Sequence, residues 1–247
     1  MNESLTAETI KIAGAGGDEI EAYLARPLES EQFGSVVVIH HMPGYDSSTK
    51  EIVRKFAANG YAALMPNLYW RDAPGASPDD AAAAARAKGG VPDDRLVGDV
   101  SGAADYLRAL PGANGKVGVI GYCSGGRQSF LSACSLQLDA AVDCYGAAVV
   151  HGAPESMPIK MTAVVGKAGD LSCPLLGLFG VEDKFPAPEE TAELSKILDD
   201  LGKKHEFHTY EDAGHAFFAV DRPSYRVAAA NDGWAKIWDF YGRYLAS

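Results

Sequence analysis

The sequence contains few cysteines and has no excess of positive charge. Its 247 residues include four cysteines, and none of them forms a C-x-x-C pair. An exported protein held by disulfides is smaller and richer in cysteine, so we expect all four thiols to be reduced. With 22 basic against 33 acidic side chains, the net charge is −11. A nucleic acid or an anionic membrane requires an excess of lysine and arginine, which argues against both as partners.

Long apolar runs and targeting segments are also missing. No apolar run approaches the roughly 18 residues that span a bilayer. Residues 1–8 are polar and acidic, whereas a signal peptide combines a charged start with an apolar stretch. We expect a cytoplasmic protein without nucleic-acid or membrane partners, acting as a monomer or a homodimer. At this length one large core forms without metals or disulfides.

Apolar β-branched segments alternate with segments of helical spacing along the chain. This alternation predicts an α/β fold, in which a mostly parallel central sheet carries helices on both faces. Residues 9–13 and 19–26 flank a turn-rich pentad and predict an antiparallel hairpin at the N-terminal edge of the sheet. The strands predicted after it span residues 35–40, 61–65, 116–121, 140–145, 175–180 and 204–210, and the predicted helices span residues 47–59, 79–87, 93–110, 124–135, 188–201 and 226–245.

Residues 147–173 lack clear periodicity. A structureless stretch of this length inside a domain is usually functional, so we interpret it as a candidate cap or lid. No internal repeat and no break in composition divides the chain. We therefore predict a single domain over residues 1–247.

A glycine-flanked cysteine follows one of the predicted strands. Residues 121–126 read Gly-Tyr-Cys-Ser-Gly-Gly and lead directly into a predicted helix. This is the G-x-nucleophile-x-G elbow in its strand-turn-helix context, where glycines relieve crowding around a strained turn. The helix N-terminus favours the thiolate of Cys123. A buried cysteine or a dinucleotide-binding loop is the alternative, although the G-x-G-x-x-G pattern is missing. We expect the other thiols to be buried apolar groups: Cys134, Cys144 and Cys173.

An acid and a histidine follow two later strands, in the chain order of a hydrolase triad. Asp183 comes after strand 175–180, and His215 comes after strand 204–210. Both lie past the carboxyl ends of strands, where open α/β sheets place their sites. His215 would act as general base and then general acid, while Asp183 would hold its tautomer. Glu182 competes for the role of the acid, and a capping or core histidine is the alternative for His215.

Two backbone N–H groups are candidates for an oxyanion hole, those of Ser124 and Met42. Pro43 has no N–H to offer. The neighbouring His40 and His41 suggest a metal site, but adjacent residues at a strand end point to opposite faces and cannot easily share one ion. We therefore expect neither a metal nor another cofactor. No ligand spacing connects the remaining histidines, which are His151, His205 and His208.

Several segments together resemble the dienelactone hydrolase (carboxymethylenebutenolidase) family of α/β hydrolases: residues 67–75, 114–126, 179–186 and 213–217. The resemblance covers nearly the whole chain, and the cysteine elbow is specific because most relatives of this fold carry serine there. It implies the α/β-hydrolase fold and a Cys-His-Asp triad that hydrolyses a small lactone or ester through a thioester. The matching triad residues are Cys123, Asp183 and His215.

The sequence departs from that family at its substrate and activating positions. Where the family has a glutamate that meets the thiol, this chain has His41, and we hypothesise that its imidazolium favours the thiolate. The alternative is that His41 only hydrogen-bonds the loop backbone. Ala216 and Ala219 replace a serine and an arginine that bind the substrate carboxylate. The position of a further substrate arginine falls near Asp80. We therefore expect a substrate other than the muconate-type dienelactone.

Several side chains are candidates for binding the substrate or activating the nucleophile: His41, Trp70, Arg71, Arg86, Tyr122, Phe217, Arg222 and Tyr225. Two other functions compete with the lactone or ester hydrolase. One is a promiscuous cysteine hydrolase of aryl esters, thioesters or phosphotriesters. The other is a non-catalytic protein that binds a small lactone or senses thiol oxidation.

Overall fold

The computed structural model describes residues 4–28, 32–153 and 161–246. The chain divides into two compact units. The first comprises Met1–Val119 with Leu245–Ser247, and the second comprises Ile120–Tyr244. No helix in these described ranges has the length and apolar character needed to cross a membrane.

One sheet of eight strands runs through the described residues in the order β1-β2-β4-β3-β5-β6-β7-β8. The strands are β1 (Leu5–Ala13), β2 (Glu19–Pro27), β3 (Phe33–Ile39), β4 (Ala62–Pro66), β5 (Ala113–Tyr122), β6 (Ala140–Cys144), β7 (Leu175–Gly180) and β8 (His205–Tyr210). The helices are α1 (Ser47–Ala58), α2 (Pro78–Ala87), α3 (Asp93–Arg108), α4 (Ser124–Ser135), α5 (Pro188–Asp200) and α6 (Val227–Tyr244).

The first unit opens with the predicted edge hairpin. β1 pairs antiparallel with β2, and β2 pairs antiparallel with β4. The turn closes through a hydrogen bond from Gly14 N–H to the Asp18 carbonyl, 2.7 Å long, and Gly16 and Gly17 adopt positive φ there. β3 pairs parallel with β4 and is buried along its whole length, as its continuous apolar sequence predicts. The prediction of an α/β fold with an edge hairpin is confirmed.

α1 begins at Ser47, as predicted. Serine is a common N-cap residue, so the sequence predicts Ser47 or Ser48 as the cap, but the cap lies at least one position earlier. Asp46, not Ser47 or Ser48, caps the helix, because its carboxylate accepts hydrogen bonds from both the N–H and the hydroxyl of Thr49, each 2.8 Å long. A charged oxygen at this place also complements the partial positive charge of the helix N-terminus. Ser47 is therefore the first helical residue.

In the second unit β6, β7 and β8 pair in parallel. Their carboxyl ends consequently meet at one edge of the sheet. Part of the candidate cap or lid, residues 154–160, lies outside the described residues, so that role stays a prediction. The described remainder contains a 3-10 helix over Val165–Asp170. It is fastened to α4 by the Arg127 guanidinium, which donates to the Thr162 carbonyl at 2.9 Å.

A carboxylic acid is buried inside β6, beneath the loop that follows it. Asp143 is 0% exposed, and its Oδ1 accepts a 2.7 Å hydrogen bond from Gly146 N–H. Its Oδ2 has no partner among the described residues. The pKa of Asp143 is raised to about 7, mainly by burial; the hydrogen bond from Gly146 N–H opposes the rise, and the charge of Glu190 adds to it. The Asp143 carboxyl is therefore protonated in the folded protein below about pH 7.

We expect Asp143→Asn to stabilise the protein more at pH 8 than at pH 4.5. The unfolded carboxyl loses its proton near pH 4, whereas the folded one keeps it up to about pH 7, so stability falls with rising pH across this interval. The amide avoids this cost, on the order of 2–4 kcal/mol at pH 8. Urea unfolding at both pH values measures it, with the exposed Asp199→Asn as control. Equal gains at both pH values would contradict the prediction.

Candidate active site

Cys123 occupies the turn between β5 and α4. Its backbone has φ 57° and ψ −122° at the N-cap of α4, a left-handed region that is uncommon for any residue other than glycine. Its N–H donates a 3.0 Å hydrogen bond to the Cys144 carbonyl at the end of β6. The structure thus contains the strained turn predicted from the glycine pattern, and the half-exposed thiol stands at a helix N-terminus.

The glycines of the turn are needed because backbone segments approach each other closely. A Cβ atom on Gly121 would clash with the carbonyl of Gly125, and one on Gly126 would clash with the Asp143 carboxylate. Gly146, on the neighbouring loop, would meet that same carboxylate if it carried a Cβ. Larger residues at these places would therefore displace the turn that holds the cysteine.

His215 and Asp183 come together beyond the ends of β8 and β7. The His215 Nδ1 lies 2.9 Å from the Asp183 Oδ2, and the Asp183 Oδ1 accepts a 2.9 Å hydrogen bond from Phe185 N–H. The Asp183 side chain is only 3% exposed. Glu182, the competing acid on the same turn, is exposed. The structure therefore selects Asp183 as the partner of the histidine.

His215 also hydrogen-bonds the side chain of Cys123. Burial disfavours the charged imidazole, but hydrogen bonds to Asp183 and Cys123, together with their negative charges, outweigh it and raise the pKa of His215 to about 10. The imidazole consequently holds a proton at neutral pH. An imidazolium beside a cysteine favours the thiolate, which is the reactive form of the nucleophile.

Tyr145 belongs to the same group of side chains, although sequence reasoning did not single it out. It directly follows β6, adopts φ 45° and is 2% exposed. The centroid of its ring lies 5.2 Å from that of the His215 imidazole. An aromatic residue just past a buried strand, at the edge where Asp183 and His215 also emerge, is the signal that could have identified it.

Other predicted residues of the second unit lie around this group. Tyr122 and Phe217 are buried, and their rings lie 6.2 Å and 5.2 Å from that of Tyr145. Their side chains therefore build the aromatic support of the site. Arg222 is exposed and Tyr225 half-buried in the segment after His215. Substrate binding by these residues stays a prediction, and so does the oxyanion role of Ser124, the first residue of α4.

The histidine pair of the first unit is engaged in local hydrogen bonds. The buried His40 accepts from Leu68 N–H at its Nε2, 3.3 Å away, so its Nδ1 carries the proton and donates to the His41 carbonyl at 2.9 Å. Burial lowers the pKa of His40 to about 4. The ring of His41 lies between Asp46, 3.5 Å from its Nε2, and Thr49, 3.4 Å from its Nδ1. In the part of the chain that the structure describes, no cluster of three histidine, cysteine or acidic residues is arranged to hold a metal.

Arg71, one of the predicted substrate-binding residues, forms ion pairs within the first unit. The Arg71 guanidinium binds both oxygens of the fully buried Asp99, at 2.9 and 3.0 Å, and also Asp18 at 2.9 Å. Arg71 is thus held in ion pairs inside the first unit, and substrate binding by Arg71 stays a prediction. Trp70 stacks against Lys11, whose Nζ is 3.7 Å from the ring centroid.

The remaining predicted residues of the first unit lie on surface elements or loops. Arg86 is exposed in the last turn of α2. Met42 is in the loop after β3, immediately before Pro43. The roles of His41, Arg86 and Met42 toward the thiol, the substrate and the oxyanion stay predictions.

Comparisons with known proteins identify the family of the chain. A sequence model of the "Dienelactone hydrolase family" matches residues 20–245. The chain is 33% identical over 236 residues to the "Putative carboxymethylenebutenolidase" of Escherichia coli (strain K12), covering 92% of this chain and 84% of that protein. It is 30% identical over 234 residues to the "Carboxymethylenebutenolidase" of Pseudomonas putida, covering 92% of each chain.

A solved structure shows the same fold. The "Putative Dienelactone Hydrolase" from Klebsiella pneumoniae superposes with a TM-score of 0.84 at 28% identity, covering 98% of this chain and all of that chain. The match of the family model to almost the whole sequence, and the identity to its members over nine-tenths of the chain, lead to one conclusion. This protein belongs to the dienelactone hydrolase family.

Proposed function

We propose that this hydrolase cleaves a small lactone or carboxylic ester through a thioester on Cys123. The observation that carries the proposal is the position of His215. Its Nδ1 lies 2.9 Å from the Asp183 carboxylate, and its side chain also hydrogen-bonds the side chain of Cys123. A nucleophile, a base that contacts it and an acid that orients the base form the arrangement used for covalent acyl transfer. The names of its relatives point to a lactone, whose hydrolysis needs the same acyl transfer.

In the proposed reaction the Cys123 thiolate attacks the carbonyl carbon, and the carbonyl oxygen takes up the negative charge. We propose that the Ser124 N–H, at the start of α4, stabilises this oxyanion, with the Met42 N–H as the second donor. His215 gives its proton to the leaving alcohol or ring oxygen, which leaves a thioester. It then removes a proton from water, whose attack releases the acid and restores the thiolate.

Trapping of the acyl-enzyme tests the proposal. The protein is mixed with aryl esters and small lactones, quenched in acid, and its intact mass and peptides are measured. We expect turnover together with an acyl group on Cys123 and none on the three buried cysteines. Turnover without this adduct, or turnover of phosphotriesters alone, would overturn the proposal. An adduct that never turns over would instead identify a binding or redox-sensing protein.

We expect neutral substrates to have a higher kcat/KM than the dienelactone carboxylate. The family resemblance implies that Ala216 and Ala219 replace carboxylate-binding groups. A carboxylate without a partner loses several kcal/mol of solvation. Both kinds of substrate are measured on one preparation. A tenfold preference for the carboxylate, about 1.4 kcal/mol of transition-state binding, would contradict the expectation. The exposed Arg222 would then be the first residue to replace, by glutamine.

A further inference from the structure

One aromatic ring is packed directly against the imidazole of the proposed triad. The ring of Tyr145 and that of His215 have their centroids 5.2 Å apart and their planes inclined by 60°. The Phe217 ring lies 5.2 Å from the Tyr145 ring, and the Tyr122 ring lies 6.2 Å from it. The imidazole therefore has Asp183 at one edge, Cys123 at another and an aromatic wall beside it.

The Tyr145 ring is held in place by contacts that need no substrate. Its N–H donates to the Leu178 carbonyl at 2.9 Å, and its hydroxyl oxygen accepts a hydrogen bond from Phe218 N–H. The preceding carbonyl, that of Cys144, accepts the N–H of Cys123. Tyr145 and the preceding Cys144 thus connect the end of β7, the elbow and the segment that follows His215. The Tyr145 backbone has a positive φ of 45°.

We propose that Tyr145 is a positioning residue whose ring holds the His215 imidazole between Asp183 and Cys123 and stabilises it in its protonated form. The proposal rests on the proposed function, since His215 must act as proton donor for the step it assists. The π-face of a phenol ring attracts a cation, and this attraction is stronger where water is excluded. The same wall blocks rotation of the imidazole away from the sulfur.

Few charges compete with this contact. Cys123 and Asp183 are the charged groups that act on His215. The titratable groups that act on Tyr145 are Cys123, Cys144 and Arg222. Of these, Cys144 stays neutral because burial raises the pKa of its thiol well above its ordinary value. Burial likewise raises the pKa of the Tyr145 phenol and keeps it protonated. The Tyr145 ring therefore stays neutral across the pH range in which the thiol is assayed.

Two substitutions separate the ring from its hydroxyl. Tyr145→Phe keeps the ring, and Tyr145→Leu removes it. Tyr210→Leu is the matched control, because the Tyr210 ring also lies 5.2 Å from Phe217 and its hydroxyl bonds Asp232, away from His215. For each variant the rate of Cys123 alkylation by iodoacetamide is measured against pH, together with kcat and KM for one ester. Alkylation reports the thiolate without needing a substrate.

We expect the Phe variant and the Tyr210 control to match the parent within about twofold. Tyr145→Leu should raise the pH midpoint of alkylation by about one unit and lower kcat about tenfold, with KM changed less than about threefold. An unchanged midpoint in a folded Tyr145→Leu protein would overturn the proposal, and so would an equal loss in the Phe variant. Neither result would affect the acyl-enzyme on Cys123, whose absence overturns the proposed function instead.

A second replacement keeps the test decisive if the leucine variant does not fold. Pentafluorophenylalanine at position 145 keeps the shape of the ring but withdraws electron density from its face, which weakens its attraction for a cation. We expect a higher alkylation midpoint than in Tyr145→Phe. Identical midpoints for these two rings would overturn the proposed stabilisation of the imidazolium.

Discussion

Cys123→Ala is expected to abolish hydrolysis while leaving the protein folded. The thiolate alone forms the acyl intermediate, so kcat should fall by about 10⁴-fold or more. The backbone hydrogen bond from position 123 to the Cys144 carbonyl needs no side chain. Alanine at φ 57° is also no more strained than cysteine. Steady-state turnover together with circular dichroism and the thermal midpoint separates lost chemistry from lost structure.

The other thiols supply the matched controls for this substitution. Cys123→Ser should be severely impaired too, because an alkoxide is harder to generate than a thiolate. By contrast, alanine at each buried cysteine should keep the parent kcat: Cys134, Cys144 and Cys173. Parent-level turnover in Cys123→Ala would remove the cysteine from the mechanism.

Asp183→Asn is expected to reduce kcat by about 10³–10⁴-fold, the scale seen when the acid of a triad becomes an amide. The carboxylate accepts the proton of the His215 Nδ1, and this leaves the second ring nitrogen free to exchange a proton with the sulfur and the leaving group. An amide N–H facing Nδ1 would favour the opposite tautomer. It would also remove a hydrogen bond that keeps the pKa of His215 at about 10.

The neighbouring acid gives the control for this second prediction. Glu182→Gln changes the charge of the same turn by one unit, but Glu182 is exposed, so its kcat should stay within about twofold of the parent because an exposed charge is well screened. The amide oxygen that Asp183→Asn introduces can still accept from Phe185 N–H, as the Asp183 Oδ1 does, which preserves the turn. Equal losses in the two variants would show that the charge of the turn matters, and not the bond to His215.

The local pattern of the chain predicts its elements closely. Helix Ser124–Ser135 and strand Leu175–Gly180 begin and end where the sequence indicates. A glycine-rich turn sets the start of the helix, and a continuous apolar run bounded by proline and glycine sets the strand. The elbow around Cys123 is predictable for the same reason, since its glycines, strand and helix are neighbours in the chain. Such features depend on interactions between residues a few positions apart.

Contacts between residues that are distant in the chain depend on the conformations of the loops, which only the tertiary structure shows. From the sequence alone, Glu182 and Asp183 are both candidates for the acid. Only the backbone conformation of their turn buries Asp183 against His215 and leaves Glu182 exposed. Arg71 meets Asp99, and Tyr145 meets His215, across long stretches of sequence. Periodicity records which face of an element is buried, because burial follows the repeat of the helix or strand. The periodicity of an element does not indicate which side chain of another element will contact it, because packing and loop geometry determine that partner.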